Sequence, residues 1–190
     1  MVTPRLPAGR GVGSVLTPPR RIVLVGMMGT GKTTIGRLIA GALGWPYHDN
    51  DDLVHQLYAA TPRELLANRG EVAMREAEAR ALALALEAPW PCVISAGGGT
   101  ILNAENRRLM REAGTVVWLR ASAATLEERA VGAEHRPWID GGARDWIRAA
   151  VADRDPLYAS VADLTVETDG RILEEVRREV VEKVSDRDGE

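Results

Sequence analysis

Five residues, "RIVLV" (21–25), run straight into "GMMGTGKTT" (26–34), and no other stretch constrains the fold as much. The first reads as a buried β-strand. The second fits G-x-x-x-x-G-K-[ST] in full through Gly26, Gly31, Lys32 and Thr33, and Lys32–Leu43 continues with Ile35, Leu38, Ile39 and Ala42 at helical spacing. A glycine-rich loop between a strand and a helix is a phosphate cradle. The glycines let backbone N–H groups turn towards phosphate oxygens, and the helix adds the positive end of its dipole. Lys32 is expected to reach the β- and γ-phosphates, and the Thr33 hydroxyl to ligate Mg²⁺. Gly29, Thr30 and Thr34 complete the expected contacts to a bound ATP.

The rest of the chain keeps the same alternation. Strand candidates are "RIVLV" (21–25), "PYHD" (46–49), "CVIS" (92–95), "TVVWL" (115–119) and "DLTVE" (163–167), three of them apolar nearly throughout. That is the pattern of strands covered on both faces. Between them lie helical stretches: Lys32–Leu43; "TPRELLANRG", with Thr61 as cap and Pro62 in the first position; the alanine-rich Glu71–Leu86; and Ala104–Glu112 after an Asn103 cap. Arg171–Val184 carries Ile172, Val176, Val180 and Val184 along one stripe, which reads as a packing face. Strands separated by helices imply an α/β fold with a parallel sheet and helices on both sides.

Composition narrows the classes. With 190 residues and no second hydrophobic unit, one domain is expected over 21–184, flanked by tails at 1–20 and 185–190. The first 20 residues hold four prolines, three glycines and no acidic residue, and are expected to be disordered; a transit-type leader is the other reading. A net charge of −3 gives no global attraction to nucleic acid or anionic membrane. The single cysteine, Cys92, cannot form an intrachain disulfide, which fits a cytoplasmic protein, and no apolar run approaches the ~20 residues that cross a bilayer.

Three further stretches bear on the acceptor of the phosphate. "YHDNDD" sets Asp49 and Asp51 two apart at the end of the second strand, where ligands bind in open α/β sheets. One carboxylate can assist the metal and the other can accept hydrogen bonds from substrate hydroxyls; a solvated turn capping the next helix is the simpler alternative. "GEVAMREAE" places Arg75 and Glu78 on one helical face, a fork suited to a carboxylate or merely a surface pair. "SAGGGT" follows a buried strand with Gly97, Gly98 and Gly99, a costly run that points to close backbone approach to a ligand.

Taken together with "HRPW" (135–138) and "RDPLY" (154–158), these motifs resemble the shikimate kinase family over about 21–184. The resemblance implies a P-loop kinase fold with five parallel strands in the order 2-3-1-4-5 and a mobile lid. It implies ATP-dependent phosphorylation of the shikimate 3-hydroxyl, giving 3-phosphoshikimate and ADP in aromatic amino acid biosynthesis, with Mg²⁺. Shikimate is assigned to Asp51, Arg75, Gly97, Gly98, Gly99 and Arg154, with Glu78 orienting Arg75. Magnesium is assigned to Thr33 and Asp49. Arg129 falls on the nucleotide side, and Arg136 on the lid that closes over ATP. Lys32, Asp51 and Arg136 are the expected catalytic residues, and a monomer is expected. Where the family usually carries phenylalanine, this chain has Met74 and Leu66, and Trp138 replaces an aliphatic residue in the lid. A gluconate kinase, or a P-loop ATPase or binding module without an acceptor, are the alternatives.

Overall fold

The structure, a computed structural model, describes residues 21–130 and 142–187. Five strands form one sheet: β1 (Arg21–Val25), β2 (Tyr47–Asp49), β3 (Cys92–Ser95), β4 (Thr115–Arg120) and β5 (Leu164–Glu167). Every pairing is parallel and the order is β2-β3-β1-β4-β5. Parallel pairing brings the carboxyl ends of all five strands to one side. Asp49 lies opposite Ser95, and Leu24 opposite Ser95 on the other flank of β3.

Apolar side chains alternate between two cores. Val23, Ile94, Val116 and Trp118 face α3 (Pro62–Glu87), α4 (Ala104–Ala113) and α6 (Ala143–Ala159). Ile22, Leu24, Val93, Val117 and Leu119 face α1 (Lys32–Leu43) and α7 (Leu173–Arg187). Such double coverage is why these strands read as unbroken apolar runs. The remaining helices are α2 (Asn50–Tyr58) and α5 (Ala123–Ala130), with a short 3-10 turn at Thr100–Leu102 after β3. No described helix is long and apolar enough to cross a membrane.

Two details refine the sequence reading. Helix α3 is two segments joined at Gly70, whose φ of 82° is left-handed, so the two stretches read separately from the sequence are separate helices set end to end. Thr61 caps the first with a reciprocal Thr61–Glu64 box. At the other end of the chain the expected stripe is corrected. Val176, Val180 and Val184 are buried, but Ile172 is 65% exposed and precedes α7. Its carbonyl accepts from the Glu175 and Val176 amides, so it caps the helix instead of packing beneath it. The turn at Gly170, with φ 63°, delays the helix by those residues. Helix α7 also runs on to Arg187, past the expected domain end at 184.

Candidate active site

The carboxyl ends of β1, β2 and β3 open into a cleft of ≈ 1350 Å³. Its lining brings together Gly29, Gly31, Lys32, Thr33, Thr34, Asp49, Asp51, Arg75, Gly97, Gly98, Gly99, Arg129 and Arg154. Thr30 turns inward, its hydroxyl donating to the Met27 carbonyl at 2.9 Å. Arg136, Trp138 and most of the expected lid fall between 131 and 141, outside the described residues.

In the loop after β1, Gly29 and Gly31 have φ of 86° and 91°, a region that a side chain disfavours. Lys32 is buried and its Nζ donates to the carbonyls of Gly26 and Met27 at 2.8 and 2.9 Å. The ammonium therefore lies folded within the loop that would wrap a phosphate. Arg129, in the last turn of α5, braces this loop from outside. It donates to the Gly29 carbonyl at 3.0 Å and to the Thr168 carbonyl at 2.9 Å. Beside it is a smaller cavity lined by Thr168, Arg171 and Leu173, from the turn between β5 and α7. Sequence reasoning missed those three, although the rule that singled out Asp49, a polar turn at the carboxyl end of a strand, applies equally to "ETDGR".

Asp49 is a hub that gathers three donors. Its Oδ2 accepts from the Thr33 hydroxyl at 2.9 Å and from the Tyr47 hydroxyl at 2.7 Å, while Oδ1 accepts from the Asp51 amide at 3.0 Å. That last bond caps α2, so the capping and functional readings of this carboxylate coexist. Burial, with Asp49 next to it, holds the Tyr47 phenol well above its ordinary pKa, so it stays a neutral donor. Tyr47 was not among the expected residues. Its ring passes so close beneath α1 that a Cβ on Gly36 would lie 2.5 Å from it. Thr33 and Asp49 suit a magnesium ion that takes its other ligands from phosphate oxygens and water. Among the described residues no group of three or more His, Cys, Asp or Glu forms a self-sufficient metal cage.

Asp51 is exposed on the wall of the cleft. Desolvation by the cleft walls, with Asp49 and Glu78 nearby, raises its pKa to about 6 against the opposing pull of Lys32. The two arginines differ. Arg75 Nη1 donates to the buried Glu78 at 2.8 Å, and its other edge meets the exposed Glu71 at 3.1 Å. Arg154 is only 8% exposed, yet no carboxylate pairs with it among the described residues. Its contacts include the Gly98 carbonyl at 3.4 Å, the Met27 sulfur at 3.9 Å and the Trp146 ring, 5.4 Å to the centroid, and it also interacts with the Tyr158 hydroxyl.

The triple glycine serves these arginines directly. A Cβ on Gly99 would overlap the Arg75 guanidinium, so part of the close approach that this turn permits is to a protein side chain. Gly98 presents its carbonyl to Arg154 and also to the Tyr158 hydroxyl at 2.7 Å. Met74 is buried with Val54, Leu65, Ala77 and Ala81 and also borders the cleft, with Leu66 packed against the same cluster.

Known proteins resemble this chain in sequence and fold. A family model described as shikimate kinase matches residues 28–185. A shikimate kinase from Symbiobacterium thermophilum is 41% identical over 169 residues, covering 87% of this chain and 97% of the relative. A shikimate kinase from Acinetobacter baumannii, solved in complex with shikimate, superposes with a TM-score of 0.85 at 30% identity, covering 90% of this chain and 96% of that one. A gluconokinase from Sinorhizobium meliloti reaches a TM-score of 0.60 at 22% identity, a likeness that carries the fold alone. With the five-stranded P-loop kinase sheet and a family match over most of its length, this chain belongs to the shikimate kinase family.

Proposed function

We propose that this protein transfers the γ-phosphoryl group of ATP to the 3-hydroxyl of shikimate, giving 3-phosphoshikimate and ADP. The observation that carries the substrate is Arg154: a nearly buried cation, facing the phosphate cleft, with no protein carboxylate to neutralise it among the described residues. A buried charge without a partner is costly, and the acceptor's carboxylate would supply the partner.

Phosphoryl transfer is largely a matter of positioning and charge stabilisation. Lys32 exchanges its two carbonyls for phosphate oxygens, and the loop amides hold the rest of the phosphate chain. Arg154 grips the carboxylate of shikimate through its planar fork, and Arg75, held by Glu78, meets it from α3. Asp51 accepts a hydrogen bond from the attacking hydroxyl. Thr33 and Asp49 would hold Mg²⁺, which would supply neutralisation of charge on the phosphates. Arg129 stays on the nucleotide side, where Thr168, Arg171 and Leu173 border the space for the rest of ATP. Arg136 is assigned to the transferring phosphoryl group from outside the described residues.

ADP release measured with shikimate, with gluconate and with no acceptor tests this reading. Turnover that depends on shikimate is expected. Equal turnover with gluconate, or release that needs no acceptor, overturns it.

A further inference from the structure

Arg154 and Trp146 both belong to α6, Trp146 in its first turn and Arg154 eight residues on. Helical side chains lean towards the helix N-terminus, and this lean brings the long arginine back over the indole. The Arg154 Cζ lies 5.4 Å from the ring centroid, within range of a cation–π contact. Its own hydrogen bonds are long, 3.4 Å to a carbonyl and 3.9 Å to a thioether, and the Tyr158 hydroxyl lies beside it. Arg75, in contrast, is oriented by two carboxylates. Trp146 is half-buried and borders the same cleft, while its neighbours Ile147 and Ala150 pin α6 to the core.

We propose that Trp146 is the positioning residue for Arg154, and through it sets the affinity for the acceptor's carboxylate. This rests on the reading of Arg154 as the acceptor's anchor. All five N–H donors of a guanidinium lie in its plane, and a cation–π contact uses none of them, so the ring at 5.4 Å restrains the cation without consuming a donor. A glutamate in the same role would occupy the edge that the substrate needs. An indole therefore orients the buried cation and leaves its fork open to a planar anion, such as the carboxylate of a ring acid.

The test compares Trp146→Leu, which keeps apolar bulk but loses the π face, with Trp146→Phe, which keeps a weaker one. The KM for shikimate is expected to rise about five- to thirtyfold in Trp146→Leu and about two- to fivefold in Trp146→Phe. The KM for ATP should stay within about twofold, as for a contact that acts on one substrate only. In an Arg154→Lys background, Trp146→Leu should add less than about twofold, because a shared contact is lost only once. If Trp146→Leu fails to fold, Trp146→Phe carries the test alone. An unchanged shikimate KM, an equal rise for both substrates, or full additivity with Arg154→Lys overturns the proposal. An Arg154→Lys enzyme with normal shikimate KM instead overturns the acceptor reading on which it rests.

Discussion

The two halves of the cleft are built in opposite ways. The proposed nucleotide half is mostly one continuous stretch, Gly26–Thr34, whose backbone loops around the Lys32 ammonium, with Arg129 bracing it from outside. The proposed acceptor half is assembled from Asp51 on α2, Arg75 and Glu78 on α3, the glycine turn after β3, and Arg154 on α6. A local motif carries its function with its geometry. A dispersed site acquires function only once the sheet has brought its pieces together. Within the dispersed half, Arg75 has its carboxylates and Arg154 has none among the described residues.

The largest test is on the nucleotide half. Lys32→Ala should lower kcat by ~10²–10³-fold in a folded protein, since it removes a donor to developing charge. Near-normal turnover would deprive the continuous stretch of its assigned chemistry. Next is Arg154→Lys, expected to weaken shikimate about ten- to a hundredfold while ATP affinity holds, because a point charge loses the planar two-point contact. Arg75→Lys should cost less, about three- to tenfold, because a lysine can still pair with Glu78. Titration of both variants with shikimate sharpens the comparison, and a reversed order would move the acceptor's carboxylate to α3. The smallest effect is expected from Tyr47→Phe. Asp49 keeps two other donors, so the Mg²⁺ concentration for half-maximal binding of nucleotide, read by calorimetry, should rise about two- to fivefold. No shift would leave Thr33 and the α2 cap to hold Asp49 unaided.

How much could be read from the sequence follows from the same division. The phosphate loop and all five strands were legible because their signals are contiguous. The break at Gly70 was legible too, from a glycine between two runs of different composition. Helices α2, α5 and α6 were not named. Helix α6 packs with Ile147, Ala150 and Tyr158 around small residues and carries Pro156 inside, so its apolar period is faint. Ile172 was misread because its spacing fits the stripe while the Gly170 turn withholds it from the helix. Arg154 was singled out by resemblance, but its lack of a carboxylate was not legible. The atoms around it come from the phosphate loop, the glycine turn and α6, and their meeting depends on the sheet order. The bond from Tyr47 to Asp49 was hidden for a similar reason, since the space for that ring is cleared by a residue of α1.

That residue, Gly36, has a practical consequence for anyone surveying variants. It has no side-chain donor, no charge and no assigned ligand, and it would pass for an ordinary helix position that tolerates alanine. A single methyl there would press on the Tyr47 ring and on Leu24 of β1. The displacement would pass from the ring to its hydroxyl and so to Asp49. A substitution one turn beyond Thr33 would thus look in a screen like a metal-binding defect, with its origin in crowding beneath a helix.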